Sequence, residues 1–397
     1  MAEQKAASIA IDNVGKEFPG GSIALREVSL LVEPGNFVVL LGPSGSGKTT
    51  LLRCVAGIEK LTSGTISIGG TTVASDRVHV APDQRDLSMV FQDYALWPHM
   101  RVKDNVAFAL RRRHLAKAES QARTQAMLER VGLGALSERY PNELSGGEQQ
   151  RVALARALVG ETGLVLCDEP LSNLDADLRE RMRVEISALV REAGATAIYI
   201  THDQAEAFAL ADQVGVLEKG NLVQFGPPEE IYSQPASPFV ARFTGLSGEL
   251  PVVATNATGT DGGFEVELVS SAILRPLRVK TATPLAGEAI LLIRQTGIQL
   301  VDTLADEHHL AGTVADVAFR GRGYEHAIDV EGLGRLTGVF SPARASRGDT
   351  VGLRLDPANC HVFAAAGDES PEDAPKAELT SALAAPPLPA TPLGRSA

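Results

Sequence analysis

The chain has 397 residues, 44 % of them apolar, and a formal net charge of −12. That is enough for two folded units and too apolar for global disorder. The acidic balance argues against nucleic acid as a main partner, because phosphate-backbone binding draws on clustered Lys and Arg.

Three cysteines, Cys54, Cys167 and Cys360, lie far apart without metal-ligand spacing, which fits a reducing cytosol. The opening residues carry no unbroken apolar segment of the secretory kind. No stretch reaches the roughly 18 apolar residues of a membrane span, so work at a membrane is expected to go through another subunit.

In chain order, the first strong signal is Phe37-Val38-Val39-Leu40-Leu41, a continuous apolar run that predicts a strand buried on both faces. Gly42-Pro43-Ser44-Gly45-Ser46-Gly47-Lys48-Thr49 follows and matches G-x-x-x-x-G-K-[ST], with a predicted helix opening at Thr50-Leu51-Leu52-Arg53. Glycines at these places let backbone N–H groups turn inward around phosphate oxygens, and the helix N-terminus adds roughly half a positive charge. Lys48 is expected to reach the β- and γ-phosphates and the Thr49 hydroxyl to hold Mg²⁺. Alone, the motif suits a kinase, a GTPase or a motor equally well.

Ser88 to Phe91 predicts another strand, closed by Gln92. After it, Asp93-Tyr94-Ala95-Leu96-Trp97-Pro98-His99-Met100 holds the only Trp of the protein. The stretch predicts an exposed docking surface, the alternative being that Tyr94 and Trp97 are core of a helical segment. Leu144-Ser145-Gly146-Gly147-Glu148-Gln149-Gln150-Arg151 places Ser145 and Glu148 in capping-box spacing before a helix from Gly147 to Val159. A capped helix start with two glycines also offers N–H groups to an anion, a second phosphate-binding surface.

The strand Leu164-Val165-Leu166-Cys167 ends in Asp168 and Glu169. Asp168 would act on Mg²⁺ and Glu169 would polarise the attacking water, unless they are simply two solvated acids at a strand end. Ser172-Asn173-Leu174-Asp175, a helix from Met182 to Val190, a strand from Ala197 to Ile200 and then His202 complete this part. Strands alternating with helices predict a mainly parallel sheet with helices on both faces.

Near Gly245 the texture changes to short β-rich runs: Phe264 to Val269, Ala289 to Arg294, Gly312 to Phe319 and Thr350 to Leu355. They predict a small all-β, barrel-like unit. His308 and His309, and likewise Arg320, Arg322 and Tyr324, read as solvated loops rather than metal or anion sites. The last 32 residues hold six prolines among Ala, Glu and Ser, a composition expected to stay disordered.

From residue 8 to about 243 the sequence resembles the ABC ATPases. The resemblance rests on six motifs in order: the phosphate loop, the Q-loop Gln92, the LSGGEQQR signature, the Asp168-Glu169 pair, the turn Ser172 to Asp175, and the switch His202. It implies a P-loop ABC ATPase domain, with antiparallel β and helical subdomains beside the parallel sheet. It implies catalysis by Glu169, His202 and Gln92, and Mg²⁺ held by Thr49, Gln92 and Asp168. Nucleotide contacts would come from Phe18, in the usual Tyr position, from Gly42 through Thr50, and from Ser145, Gly146, Gly147 and Asp175. Cys167 departs from the usual aliphatic residue. A second copy of the chain would close head-to-tail around two ATPs, so that Ser145 and Gly147 meet the γ-phosphate held by the opposite Lys48.

The β-rich segment resembles the TOBE-type (OB-like) domain of importer ATPases. The implied division is 1–245 for the ATPase, 246–365 for the TOBE-like unit and 366–397 for the tail. The implied partners are a membrane permease and, indirectly, an extracytoplasmic solute-binding protein, with the chain peripheral at the cytoplasmic face of the inner membrane. Ferric iron or polyamine is the expected substrate, with sugar or phosphonate as the alternative. A soluble, non-transport ABC ATPase would show tandem halves, a coiled-coil insertion or basic patches; this chain has one phosphate loop, one signature and an acidic balance.

Overall fold

The computed structural model describes residues 6–260, 263–270, 273–301 and 309–365. The expectations for His308 and for the tail lie outside these residues.

Three apolar runs of the sequence form the centre of a six-stranded sheet. Phe37–Leu41 lies between Gln213–Glu218 and Thr196–Thr201, followed outward by Leu164–Asp168 and Leu87–Val90. All of these neighbours pair in parallel; the hairpin strand Asn221–Gly226 closes the other edge antiparallel. Alternation along each strand divides the interior into two cores. Phe37, Val39, Leu41, Val165, Cys167, Ala197 and Tyr199 face a core shared with the helices Gly146–Leu158 and Ala176–Glu192. Val38, Leu40, Leu164, Leu166, Ile198 and Ile200 face the opposite core.

That second core is closed by the helix Lys48–Ala56 and by a four-stranded antiparallel sheet, in which Ile9–Phe18 lies between Ser22–Val32 and Ser63–Ile68, with Thr71–Ala74 at the edge. Both faces of the six-stranded sheet are therefore covered, as continuous apolar runs require. The helices Val102–Phe108 and Lys117–Arg130 pack on the first core. No helix among the described residues is long and apolar enough to cross a membrane.

The barrel-like expectation resolves into two five-stranded antiparallel sheets. One runs Leu277–Thr281, Gly263–Val269, Gly248–Thr260, Gly287–Ile293, Cys360–Ala364, and the other Ile298–Val301, Thr350–Leu355, Leu310–Phe319, Tyr324–Val330, Gly334–Ser341. Leu291, Ile293, Leu310, Val314, Ile328 and Leu353 from both sheets meet in one common core. The three thiols are buried, and burial pushes Cys54 up to about 11 and Cys167 and Cys360 up to about 12. All three are packing residues.

One cation fastens the β sheets to the α/β part. Arg294, 0 % exposed, donates to the carbonyls of Ala241 (2.8 Å), Gly245 (2.9 Å) and Tyr232 (2.6 Å), and its guanidinium lies 4.2 Å from the centre of the Tyr232 ring. Burial depresses it to about 10, still protonated at neutral pH. The carbonyls of Ala241 and Gly245 lie at the end of the short helix Pro238–Phe243, where no helical partner remains for them. Arg294→Ala removes the guanidinium donor of three carbonyls, of which that of Ala241 keeps a longer bond from Thr244 Oγ1 (3.4 Å). It should cost about 2–4 kcal/mol, read as a lowered urea midpoint together with faster proteolysis near residues 241–247.

Candidate nucleotide-hydrolysis site

Register explains why distant motifs meet. Leu41 pairs with Thr201 and Asp168 with Ile200 in adjacent parallel strands, so these strands end level with one another. The next residues out, Gly42, Glu169 and His202, leave the same edge of the sheet. Ligands of open parallel sheets collect at this carboxyl edge.

The phosphate loop turns into the helix Lys48–Ala56 at Gly47, whose φ of 103° is left-handed. A Cβ at Gly47 would stand 2.5 Å from the Ala24 carbonyl oxygen, so only glycine fits this approach. The Lys48 ammonium is buried and donates to the carbonyls of Gly42 (2.7 Å) and Pro43 (3.0 Å). Burial lowers its pKa, while the charges of Glu169 and Asp168 oppose that shift. A buried cation at the start of a helix suits an anionic phosphate ligand.

Thr49 Oγ1 donates to Asp168 Oδ1 at 3.1 Å. Burial raises the Asp168 pKa, with the Thr49 bond and the nearby Arg53 and Lys48 charges acting against it. Two hard oxygens side by side fit Mg²⁺, which commonly takes one or two protein oxygens and fills its shell with water and phosphate. No group of three or more His, Cys, Asp or Glu ligands forms among the described residues.

Glu169 has a left-handed φ of 43°, unusual for a residue with a side chain. Its carbonyl accepts from Ser172 N (3.2 Å) and Ser172 Oγ (2.9 Å), which fixes the turn. The carboxylate reaches His202 Nδ1 at 3.0 Å, and the imidazole is half-exposed at the site mouth. Backbone held in a sparsely populated region by specific bonds is an observation that points toward function.

The other expected residues are placed as follows. Gln92 is exposed just past the strand Leu87–Val90, and its carbonyl accepts from Asn173 Nδ2 at 2.9 Å, tying it to the turn after Glu169. Phe18, half-buried, pairs with Ser22 across the strand hairpin and has the Lys16 ammonium 4.6 Å from its ring centre. Asp175 caps the helix Ala176–Glu192 by accepting from Leu178 N at 3.0 Å.

Ser145 forms the expected capping box: its N–H donates to Glu148 Oε2 (2.8 Å) and its Oγ accepts from Glu148 N (3.4 Å). Ser145 and Gly146 are exposed, but Gly147 is buried. A Cβ at Gly147 would lie 2.8 Å from the Leu178 side chain, so this glycine also serves helix packing. Thr50 lies half-buried in the first turn of its helix.

The aromatic stretch divides residue by residue. Tyr94 is core, only 6 % exposed, while Trp97 is half-buried against Phe108 (ring centres 4.2 Å apart). Pro98 and His99 are exposed. Tyr94 and Ala95 both take positive φ, 63° and 45°, and Arg156 from the helix Gly146–Leu158 donates to both their carbonyls, at 2.7 and 2.6 Å. The same guanidinium lies 5.0 Å from the Trp97 ring. Sequence reading missed Arg156; its one signal was a cation within the apolar run Val152-Ala153-Leu154-Ala155-Arg156-Ala157-Leu158.

In the β sheets His309 accepts from Leu355 N at 3.0 Å, a structural bond. Arg320 pairs with Glu325 at 2.8 Å and Arg322 lies over Phe340, so these cations do not converge.

A phosphate loop, a Thr–Asp pair and a Glu–His pair at one sheet edge define the class of P-loop nucleotide hydrolases. Comparison with known proteins narrows that class. Residues 25–172 match the family described as ABC transporter, and residues 288–363 the one described as TOBE domain. The Fe(3+) ions import ATP-binding protein FbpC of Agrobacterium fabrum (strain C58) is 43 % identical over 331 residues, covering 83 % of this chain and 90 % of that one. The sn-glycerol-3-phosphate import ATP-binding protein UgpC of Rhodopseudomonas palustris (strain BisB5) is 41 % identical over 369 residues, covering 91 % and 98 %.

Among solved structures, cbiO1 from Clostridium perfringens, part of the ABC transporter complex cbiONQ, superimposes with a TM-score of 0.53 at 28 % identity, covering 57 % of this chain and 90 % of that one. A dimeric post-hydrolysis ATP-binding cassette bound to ADP and Pi gives 0.50 at 30 % identity, covering 55 % and 98 %. The chain belongs to the ATP-binding subunits of ABC importers, and it is an ATPase.

Gly47→Ala tests the phosphate loop. The added methyl meets the Ala24 carbonyl in a left-handed backbone, so the dissociation constant for a fluorescent ATP analogue should rise at least about tenfold, the equivalent of ~1.4 kcal/mol.

Proposed function

We propose that this subunit drives import of ferric iron, with Glu169 as the group that activates the attacking water. The single observation that carries the catalytic assignment is the Glu169–His202 contact of 3.0 Å, at the sheet edge where Lys48 emerges. Glu169 takes up the proton of the attacking water. His202, fixed by Glu169 through Nδ1, turns its other nitrogen toward the γ-phosphate. Lys48 exchanges its carbonyl partners for β- and γ-phosphate oxygens and balances the charge that spreads over them. Mg²⁺, held by Thr49 and Asp168 with Gln92 at its edge, would polarise the phosphate oxygens.

Phe18 offers a ring face to the adenine, and the exposed Ser145–Gly146 helix start meets the nucleotide of a second copy, with Asp175 nearby. The half-buried Trp97 and exposed Pro98 and His99 form the docking patch for the permease. We place the end of the ATPase unit near Gly245 and the chain at the cytoplasmic face of the inner membrane, with a solute-binding protein on the far side. Membership of the family brings membrane permease partners and a dimeric arrangement.

Ferric iron is favoured by the Agrobacterium relative, named for that import. A glycerol-phosphate substrate is the second reading, supported by the Rhodopseudomonas relative, which is matched over 98 % of its length. Uptake of radiolabelled iron and of radiolabelled glycerol 3-phosphate by a strain lacking this chain decides between them: the substrate whose uptake falls is the one carried. Glu169→Gln should bind ATP normally and hydrolyse it at least about a hundredfold more slowly, the scale of a lost general base. Near-normal turnover in an ATPase assay would remove Glu169 from the mechanism.

A further inference from the structure

Behind the Glu169–His202 pair lies a small polar pocket lined by Ser172, Arg179, Thr201, Asp203 and Glu206 as well as the pair itself. Arg179 is the only one of these that reaches both supports of the pair. On one side its Nη2 donates to the Leu174 carbonyl (2.9 Å) and its Nε to the Leu171 carbonyl (3.4 Å). Both carbonyls belong to the turn that follows Glu169, the turn whose Ser172 holds the Glu169 carbonyl.

On the other side the guanidinium faces Asp203 Oδ2 (4.0 Å) and Glu206 Oε1 (3.9 Å). Asp203 directly follows His202 and caps the helix Gln204–Leu210, accepting from Ala205 N (2.8 Å) and Glu206 N (3.2 Å). Glu206 is buried and its other oxygen accepts from Tyr199 in the strand that leads to His202, at 3.0 Å. Burial raises the Glu206 pKa, and the bonds from Thr201 and Tyr199 and the charge of Arg179 oppose that. A buried carboxylate needs such partners.

The two loops that deliver Glu169 and His202 come from different strands, and the strands fix only their starting level. Side-chain reach beyond the sheet edge depends on what fastens one loop to the other. We infer that Arg179 is a positioning residue, keeping Glu169 and His202 at reacting distance by tying the 171–174 turn to the cap of the helix after His202. This rests on the catalytic reading of Glu169 and His202 given above. Arg179 touches no nucleotide in this scheme; its effect runs through the geometry of the pair, where about 1 Å of misplacement can cost a hundredfold.

The test uses the full chain. Arg179→Ala should keep the KM for ATP within about threefold and lower kcat at least about tenfold, the pattern of an interaction that matters at the transition state. In a Glu169→Gln background, Arg179→Ala should leave ATP-driven dimerisation intact on size-exclusion chromatography, since the nucleotide surfaces are untouched. In a His202→Ala background, single-turnover hydrolysis should fall less than about twofold further, because the distance it maintains no longer matters.

Turnover near wild type, loss of the ATP-driven dimer, or the full tenfold loss repeated on His202→Ala would each overturn the inference. Should Arg179→Ala fail to melt cooperatively, Arg179→Gln, which keeps one amide donor and loses the charge, takes its place with the same expectations. If Glu169→Gln is slow but Arg179→Ala is not, this inference fails alone. If Glu169→Gln turns over normally, the catalytic reading falls and takes this inference with it.

Discussion

The structure depends on the level ends of three adjacent parallel strands. With Leu41 opposite Thr201 and Asp168 opposite Ile200, a phosphate loop, an acid pair and a histidine leave the sheet within reach of one another. Shifting any of the three strands by one residue would exchange its two faces, because alternate side chains serve different cores. Tyr199 and Cys167 would then be forced into the core that Ile198 and Leu166 now fill. The apolar packing that stabilises the sheet is thereby the same constraint that aligns the site, and neither can drift without the other.

Where elements join, main-chain carbonyls retain a second lone pair that a side-chain donor can fill. This chain answers repeatedly with arginine. Arg85 donates to carbonyls of Cys54, Val73 and Val80, Arg156 to Tyr94 and Ala95, Arg179 to Leu171 and Leu174, and Arg294 to Ala241, Gly245 and Tyr232. A planar fork with five donors and no acceptor can satisfy several such carbonyls from one buried position, which a lysine cannot do as well. Arg85, Arg156 and Arg294 are buried and Arg179 is partly exposed, so the acidic protein places cations inside as well as on its surface.

This explains which parts were legible in the sequence. The strands Phe37–Leu41, Leu164–Asp168 and Thr196–Thr201 were readable because uninterrupted apolar runs flanked by glycine or acid have few other uses. The phosphate loop and the capping box at Ser145 were readable because backbone geometry restricts the residue types there. The arginine ties were not, because their acceptors are main-chain oxygens, which every residue carries alike. Tyr94 illustrates the same limit: the stretch after Gln92 reads as an exposed surface or as core, and the structure divides it, with Tyr94 inward beside the left-handed backbone at 94 and 95 and Pro98 and His99 outside. A local bond from Tyr94 N to the Phe91 carbonyl (3.0 Å) forms part of the turn, and Arg156, some sixty positions later in the chain, holds its carbonyls.

Gly147 shows that one residue can answer to two constraints. A Cβ there would lie 2.8 Å from the end of the Leu178 side chain on the next helix, which would have to shift, so glycine lets the two helices sit close. The same closeness sets the helix Gly146–Leu158 against the helix that Asp175 caps, and the exposed Ser145–Gly146 start and the Asp175 cap are thereby held by one pair of packed helices. Any displacement of the helix Gly146–Leu158 carries Arg156 with it, and Arg156 holds the strained residues beside Trp97. The start of that helix and the aromatic stretch along its side are thereby joined through Arg156.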